Sequence, residues 1–149
     1  MKTYFWLSLI LSAFSCVGQQ PPPTPEESKN MFISKADQLA GKGNWKLALE
    51  MLNKADSISP GDIGILNLKA KTKTRSGDHT GAILDLDRAI GACKDQKQCR
   101  HLYMTRAEVH KANGHMELAC NDWKRAGALG QPDYLDHCEQ AAAPNGTSK

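Results

Sequence analysis

The sequence predicts an all-α chain, a short α-solenoid of three helix pairs closed by a C-terminal capping helix. Three observations predict it. Gly43, Ala48, Leu52 and Ala55 recur as Gly77, Ala82, Leu86 and Ala89, each 34 positions later, and again as Gly114, Ala119, Trp123 and Ala126, each 37 positions after that. A fixed internal period of this size marks a repeat architecture. Apolar residues fall at helical spacing, as in Ala48, Met51, Leu52, Ala55 and Ile58, or Ala82, Ile83, Leu86, Ala89 and Ile90. No stretch alternates apolar and polar residues well enough for a strand.

Each copy reads as a helix, a glycine turn and an antiparallel second helix. Glycine accepts the left-handed backbone that ends one helix and turns the chain into the next. Asn44 and Asp78 follow two of these glycines and offer side-chain acceptors to the next helix, whereas His115 in the third copy is a poorer cap. The paired alanines, seven apart, lie on one face two turns apart, where a small side chain admits a neighbouring helix. Leu52, Leu86 and Trp123 add apolar bulk to that face.

From the N-terminus, Lys2 precedes an uncharged run from Tyr4 to Phe14 and then small residues. That is the layout of a secretory signal peptide over residues 1–18, its apolar run too short for a membrane span. Cleavage after Gly18 or after Ser15 satisfies the small-residue rule. A second reading lipidates Cys16 and anchors an outer-membrane lipoprotein, although Phe14 suits that motif poorly. The leader thus predicts an exported bacterial chain, periplasmic or secreted. Residues 19–27, opening with QQPPPTP, form a proline-rich linker of extended geometry. Glu26 and Glu27 suit the start of a first helix.

The helix-pair domain then covers residues 28–142, with repeats over about 29–62, 63–96 and 100–133. Its helices are expected at Ser28–Ala40 with Lys46–Ser57, Asp62–Ser76 with Thr80–Ala92, and Arg100–Asn113 with Met116–Ala128. Pro60-Gly61 and Gly130-Gln131-Pro132 punctuate the array. Tyr134, Leu135 and Cys138 mark a cap helix over residues 132–142, which covers the apolar face a last repeat leaves open. Residues 143–149 are expected as a disordered tail, with a glycosylation sequon at Asn145-Gly146-Thr147.

Gly43-Asn44-Trp45, Ala48, Leu52, Ala55 and Pro60 resemble the second half of a tetratricopeptide repeat, whose period is 34 residues. Phe32, Ala36 and Leu39, then Leu66 and Ala70, then Tyr103 and Ala107, are similar to its first half. The chain departs from the pattern where Lys94 stands for a recurrence of Pro60, and where Lys73 and His110 replace the bulky apolar residue represented by Leu39. The third copy, from Ala119 to Ala126 and closing on Leu129-Gly130, is also similar to a Sel1-like repeat. Either resemblance implies a helix-pair solenoid.

The whole chain carries a formal charge of +3; without residues 1–18, which hold one lysine and no acid, 18 basic residues face 16 acidic ones. That balance, with no dense basic run, excludes a nucleic-acid binder. Four cysteines lie beyond the leader: Cys93, Cys99, Cys120 and Cys138. Their even number in an exported chain points to disulfides, with three possible pairings. A Cys93–Cys99 bond would pin the insertion between the second and third repeats, and a Cys120–Cys138 bond would staple the cap. Buried free thiols, or a zinc site of Cys93, Cys99 and His101, are the alternatives, the latter at a spacing that matches no usual ligand pattern.

Catalytic chemistry has no foothold. The chain lacks a phosphate-binding glycine loop, a Gly-x-Ser-x-Gly elbow and a His-Glu-x-x-His pair. Asp85 and Asp87, or Asp133 and Asp136, read as solvated acids, and His79 and His115 as surface residues at turns. No cofactor is implied. What a helix-pair solenoid offers is a concave wall built by the first helix of each pair. Asn67, Lys71 and Arg75, four apart, form a polar ridge along the middle one. The resemblance places them on the groove-facing side with Thr74, preceded by Ile33 and Asp37 and followed by Met104, Glu108 and Lys111. They do not match the clamp that some members of the family use for C-terminal carboxylates. The expectation is a non-enzymatic adaptor that binds a protein or peptide partner on this face. A metal- or ligand-binding module built on the cysteines is the alternative.

Overall fold

The computed structural model describes residues 21–130 and Cys138. The expected leader over 1–18 with Cys16, the tail over 143–149 and, apart from Cys138, the cap helix over 132–142 lie outside the described residues. Six helices follow in order: α1 (Pro25–Gly41), α2 (Trp45–Ile58), α3 (Ile63–Arg75), α4 (His79–Ala92), α5 (Gln96–Ala112) and α6 (Met116–Ala128). They pack as the pairs α1/α2, α3/α4 and α5/α6, with α2 on α3 and α4 on α5 joining successive pairs. The described residues hold no strand, and the architecture is the all-α solenoid of helix pairs that the period implies.

The same backbone device closes the first helix of every pair. Gly43, Gly77 and Gly114 carry φ of 76°, 88° and 78°. Their N–H groups reach back to Ala40, Thr74 and Lys111, while the next residues, Asn44, Asp78 and His115, donate to Leu39, Lys73 and His110 at 2.8–2.9 Å. This two-bond C-terminal motif needs a left-handed residue, which glycine adopts at little cost.

Helix starts differ from expectation where a cap is stronger than the apolar period. Thr24 and Glu27 form a reciprocal capping box and Pro25 fills the first helical position, so α1 begins at Pro25 rather than Ser28 and takes in the end of the expected linker. Asp95 accepts from the Gln98 N–H at 2.8 Å and starts α5 at Gln96 rather than Arg100. Asp78 caps α4 through Gly81 at 2.8 Å, but Asn44 makes no side-chain cap bond for α2.

Ala48, Ala55, Ala82, Ala89, Ala119 and Ala126 are each fully buried, which lets paired helices nest closely. Leu66, Leu86, Leu102 and Val109 join α3, α4 and α5 in one core. Ala36 and Leu52 form a second cluster with half-buried Leu39, Met51 and Leu68, and Ala107, Ala119 and Trp123 form a third. Cys93 and Cys99 are bonded, with Cα atoms 5.6 Å apart, across the α4–α5 connection. Both sulfurs that the zinc alternative needed are used in that bond. Cys120 and Cys138 are free thiols.

Candidate functional site

The first helices of the first two repeats leave a groove between them. Its wider part, about 580 Å³, is bounded by Asp37 and Ala40 of α1, the turn at Gly41 and Gly43, Trp45, and Leu68, Lys71, Thr72 and Arg75 of α3. An adjoining part of about 320 Å³ shares Asp37, Ala40, Leu68 and Thr72 and adds Ile33, Ala36 and Leu52. The wider part holds the charged side chains, and the adjoining part sets Asn30 and Ser34 beside the aliphatic Ile33, Ala36, Leu52 and Leu68. Period places both kinds of residue: Leu68 and Thr72 are four apart on α3, while Lys71 and Arg75 form the flanking row.

Charge is distributed unevenly around this groove. Other cations nearby are engaged: Lys69 bonds Asp56 at 2.9 Å, and Lys73 bonds Asp85 at 2.7 Å. Burial is the largest influence on Asp56 and pushes it up, yet hydrogen bonds from Lys69 and the Gly61 N–H outweigh it and leave the carboxyl below its ordinary value. Lys71 and Arg75 are exposed and form no ion pair or hydrogen bond among the described residues. Across from them stands the single acid of the groove, Asp37. Burial, and then the charge of Lys71, lower His101 below its ordinary value, so the field of Lys71 reaches α5.

The residues picked from the sequence do not all converge. Lys71 and Arg75 line the groove; Asn67, Thr74, Met104, Glu108 and Lys111 do not. Thr74 donates its hydroxyl to the Ala70 carbonyl at 2.8 Å, so it serves its own helix. Lys111 sits over the Trp123 ring, 5.8 Å from its centroid. Asn67 is half-buried, and its side-chain oxygen is enclosed without a hydrogen-bond partner. Trp45, which the sequence marks only as part of the repeat, also lines the groove with Leu68 and Thr72, and the helical row linking Leu68 and Thr72 to Lys71 and Arg75 is the signal that points to them.

A second polar cluster ties the third repeat together. Arg106 of α5 bonds both carboxylate oxygens of Asp122 on α6, at 2.6 and 2.7 Å, and also reaches Asp87 on α4. The hydrogen bond to Asp122, ahead of that to Asp87, raises the guanidinium further above its ordinary range. Asp85 is 4% exposed and paired with Lys73, which corrects the expectation of a solvated acid. Asp87 is exposed, as expected, though paired with Arg106.

Among solved structures, the N-terminal domain of stress-induced protein-1 from C. elegans superposes with a TM-score of 0.69 at 12% identity, covering 80% of this chain and 98% of that one. The first TPR of Spaghetti (RPAP3), bound to the HSP90 peptide SRMEEVD, superposes with a TM-score of 0.65 at 18% identity, covering 78% and 94%. The fold is the tetratricopeptide repeat. In sequence, the chain is similar to tetratricopeptide repeat protein 36 of Danio rerio, 37% identical over 93 residues, which cover 61% of this chain and 49% of the relative. The Bos taurus and Homo sapiens proteins of that name are each 30% identical, over 108 and 113 residues, covering 72% and 75% of this chain. The chain spans about half the length of these relatives, up to 59% for the human one. No protein-family profile matches it. The relatives are vertebrate proteins, and they overturn the bacterial periplasmic or secreted address expected from the leader. No described helix is long and apolar enough to cross a membrane.

Proposed function

We propose that this chain is a non-enzymatic docking module that holds an extended peptide of a partner protein in the groove between α1 and α3, the concave side of the solenoid. One observation carries the reading: Lys71 and Arg75, two cations with no ion-pair partner among the described residues, line a cleft that runs on over Ile33, Ala36, Leu52 and Leu68. Such a cleft suits a segment that presents a carboxylate beside an apolar side chain. The carboxylate meets Lys71 and Arg75, and the apolar group settles on Ile33, Ala36 and Leu68. The Spaghetti repeat, which has the same fold, holds a peptide containing acidic and apolar residues, and that supports a peptide partner here.

The test is binding of fluorescein-labelled peptides that pair Asp or Glu with Leu, Ile or Met. For the best of them, the double variant Lys71→Glu/Arg75→Glu is expected to weaken affinity by about tenfold or more, the equivalent of about 1.4 kcal/mol. Binding should also weaken as salt rises. Affinity unchanged in the double variant would remove the groove from the account.

A further inference from the structure

Cys120 and Cys138 lie apart from the groove. Cys120 belongs to α6; Cys138 follows 18 positions later and is itself helical. Both are half-buried, and both pack on the same apolar cluster of Ala107, Ala119 and Trp123. The chain thus brings two sulfurs together that its sequence holds well apart, and leaves them reduced while Cys93 and Cys99 are already bonded.

We propose that Cys120 and Cys138 are a redox modification site: a dithiol that reacts with a small-molecule disulfide and closes into a second cross-link, fastening the segment at Cys138 to the last repeat. The geometry suits the reaction, because both side chains pack on the same three residues and the bond forms once the sulfurs close to about 2.05 Å. The Cys120 thiolate attacks one sulfur of the oxidant RSSR, forms Cys120–S–SR and releases RS⁻. Cys138 then gives its proton to the released thiolate and attacks the Cys120 sulfur. The second RS⁻ leaves and takes up the proton that Cys120 lost at the outset. Two protein S–H groups become one S–S bond, and RSSR is reduced to two RSH.

Burial, and then the hydrogen bond with Cys120, push the Cys138 thiol up to about 11. Cys138 therefore keeps its proton at neutral pH, which suits it to the resolving step.

The experiment treats the full-length chain with oxidised glutathione, alkylates the remaining thiols and maps tryptic peptides. The expected product joins peptide 112–124, which carries Cys120, to peptide 126–149, which carries Cys138. The protein should be about 2 Da lighter, two hydrogens for one bond. In Cys120→Ser and in Cys138→Ser, no joined peptide should form. The thermal midpoint should rise on oxidation in the parent chain and stay put in both serine variants. The proposal is overturned by alkylation of both cysteines in excess oxidant, by a lasting glutathione adduct on either one in the parent chain, or by a bond from either to Cys16, Cys93 or Cys99. An unchanged midpoint despite the bond overturns the fastening role.

Discussion

Leu39, Lys73 and His110 hold the same place in three successive repeats, the carbonyl of each accepting a hydrogen bond from the closing turn. The residue 12 positions after each is Met51, Asp85 and Asp122 in turn. The first pair is apolar and packs on the first repeat's core. In the second, Lys73 and Asp85 meet at 2.7 Å; in the third, His110 lies 3.9 Å from Asp122, whose charge is met by Arg106. The polar replacements are therefore matched across the helix pair, because a buried carboxylate is costly without a cation. Burial first, with Arg106 and His115 against it and Asp122 and Asp87 for it, leaves the His110 imidazole below its ordinary value of 6.5. An unfolded chain then takes up this proton before the folded one does. Stability from His110 is complete above about pH 6.5 and is lost as pH falls from there toward the folded value. Urea midpoints should be lower near pH 5.5 than near pH 7.5, and His110→Leu should narrow that gap. An equal gap in both proteins would take His110 out of the acid response.

At the scale of the helix, small residues decide how near the members of a pair can lie. Ala89 is fully buried in α4 and belongs to the core that α4 shares with Leu66 and Leu102. Ala89→Leu adds volume where there is none to spare, at an expected cost of about 1–3 kcal/mol in urea unfolding. A neutral result would mean that the helices separate freely and that close nesting is not what fixes the stack. Helix ends follow a different rule. The glycine turns recur because one backbone conformation needs them, but the caps after them vary: Asp78 bonds the next helix and Asn44 does not. A missing side-chain cap at an exposed turn is replaced by water, so the period tolerates it.

For the whole molecule, the central question is whether three repeats behave as one. Leu102 of α5 lies in a core with Leu66 of α3 and Leu86 of α4, so the second and third repeats are fused by burial, and Leu68 of α3 packs on the first repeat's cluster. Leu102→Ala is expected to cost about 2–5 kcal/mol. Followed through Trp45 in the first repeat and Trp123 in the third, each as the sole tryptophan, the lowered midpoint should be the same for both probes. A shift seen by Trp123 alone would mean that the repeats unfold separately, as the nearest-neighbour coupling of a solenoid allows. The groove lies between the first and second repeats, so its shape depends on that coupling as much as on the residues that line it.

Local chemistry repeated at a fixed period was enough to specify the helices, the glycine turns and the alanine faces, because each depends on residues a few positions apart. Lys71 and Arg75 were legible as a row for the same reason. Only the tertiary structure decided that Asp37 stands opposite them, that Asp85 and Asp122 are buried against cations on other helices, and that Cys93 is bonded while Cys120 and Cys138 are not. Those outcomes turn on how helices dock, and a few degrees of docking angle moves a side-chain tip by several ångströms without altering the period that specifies the helix.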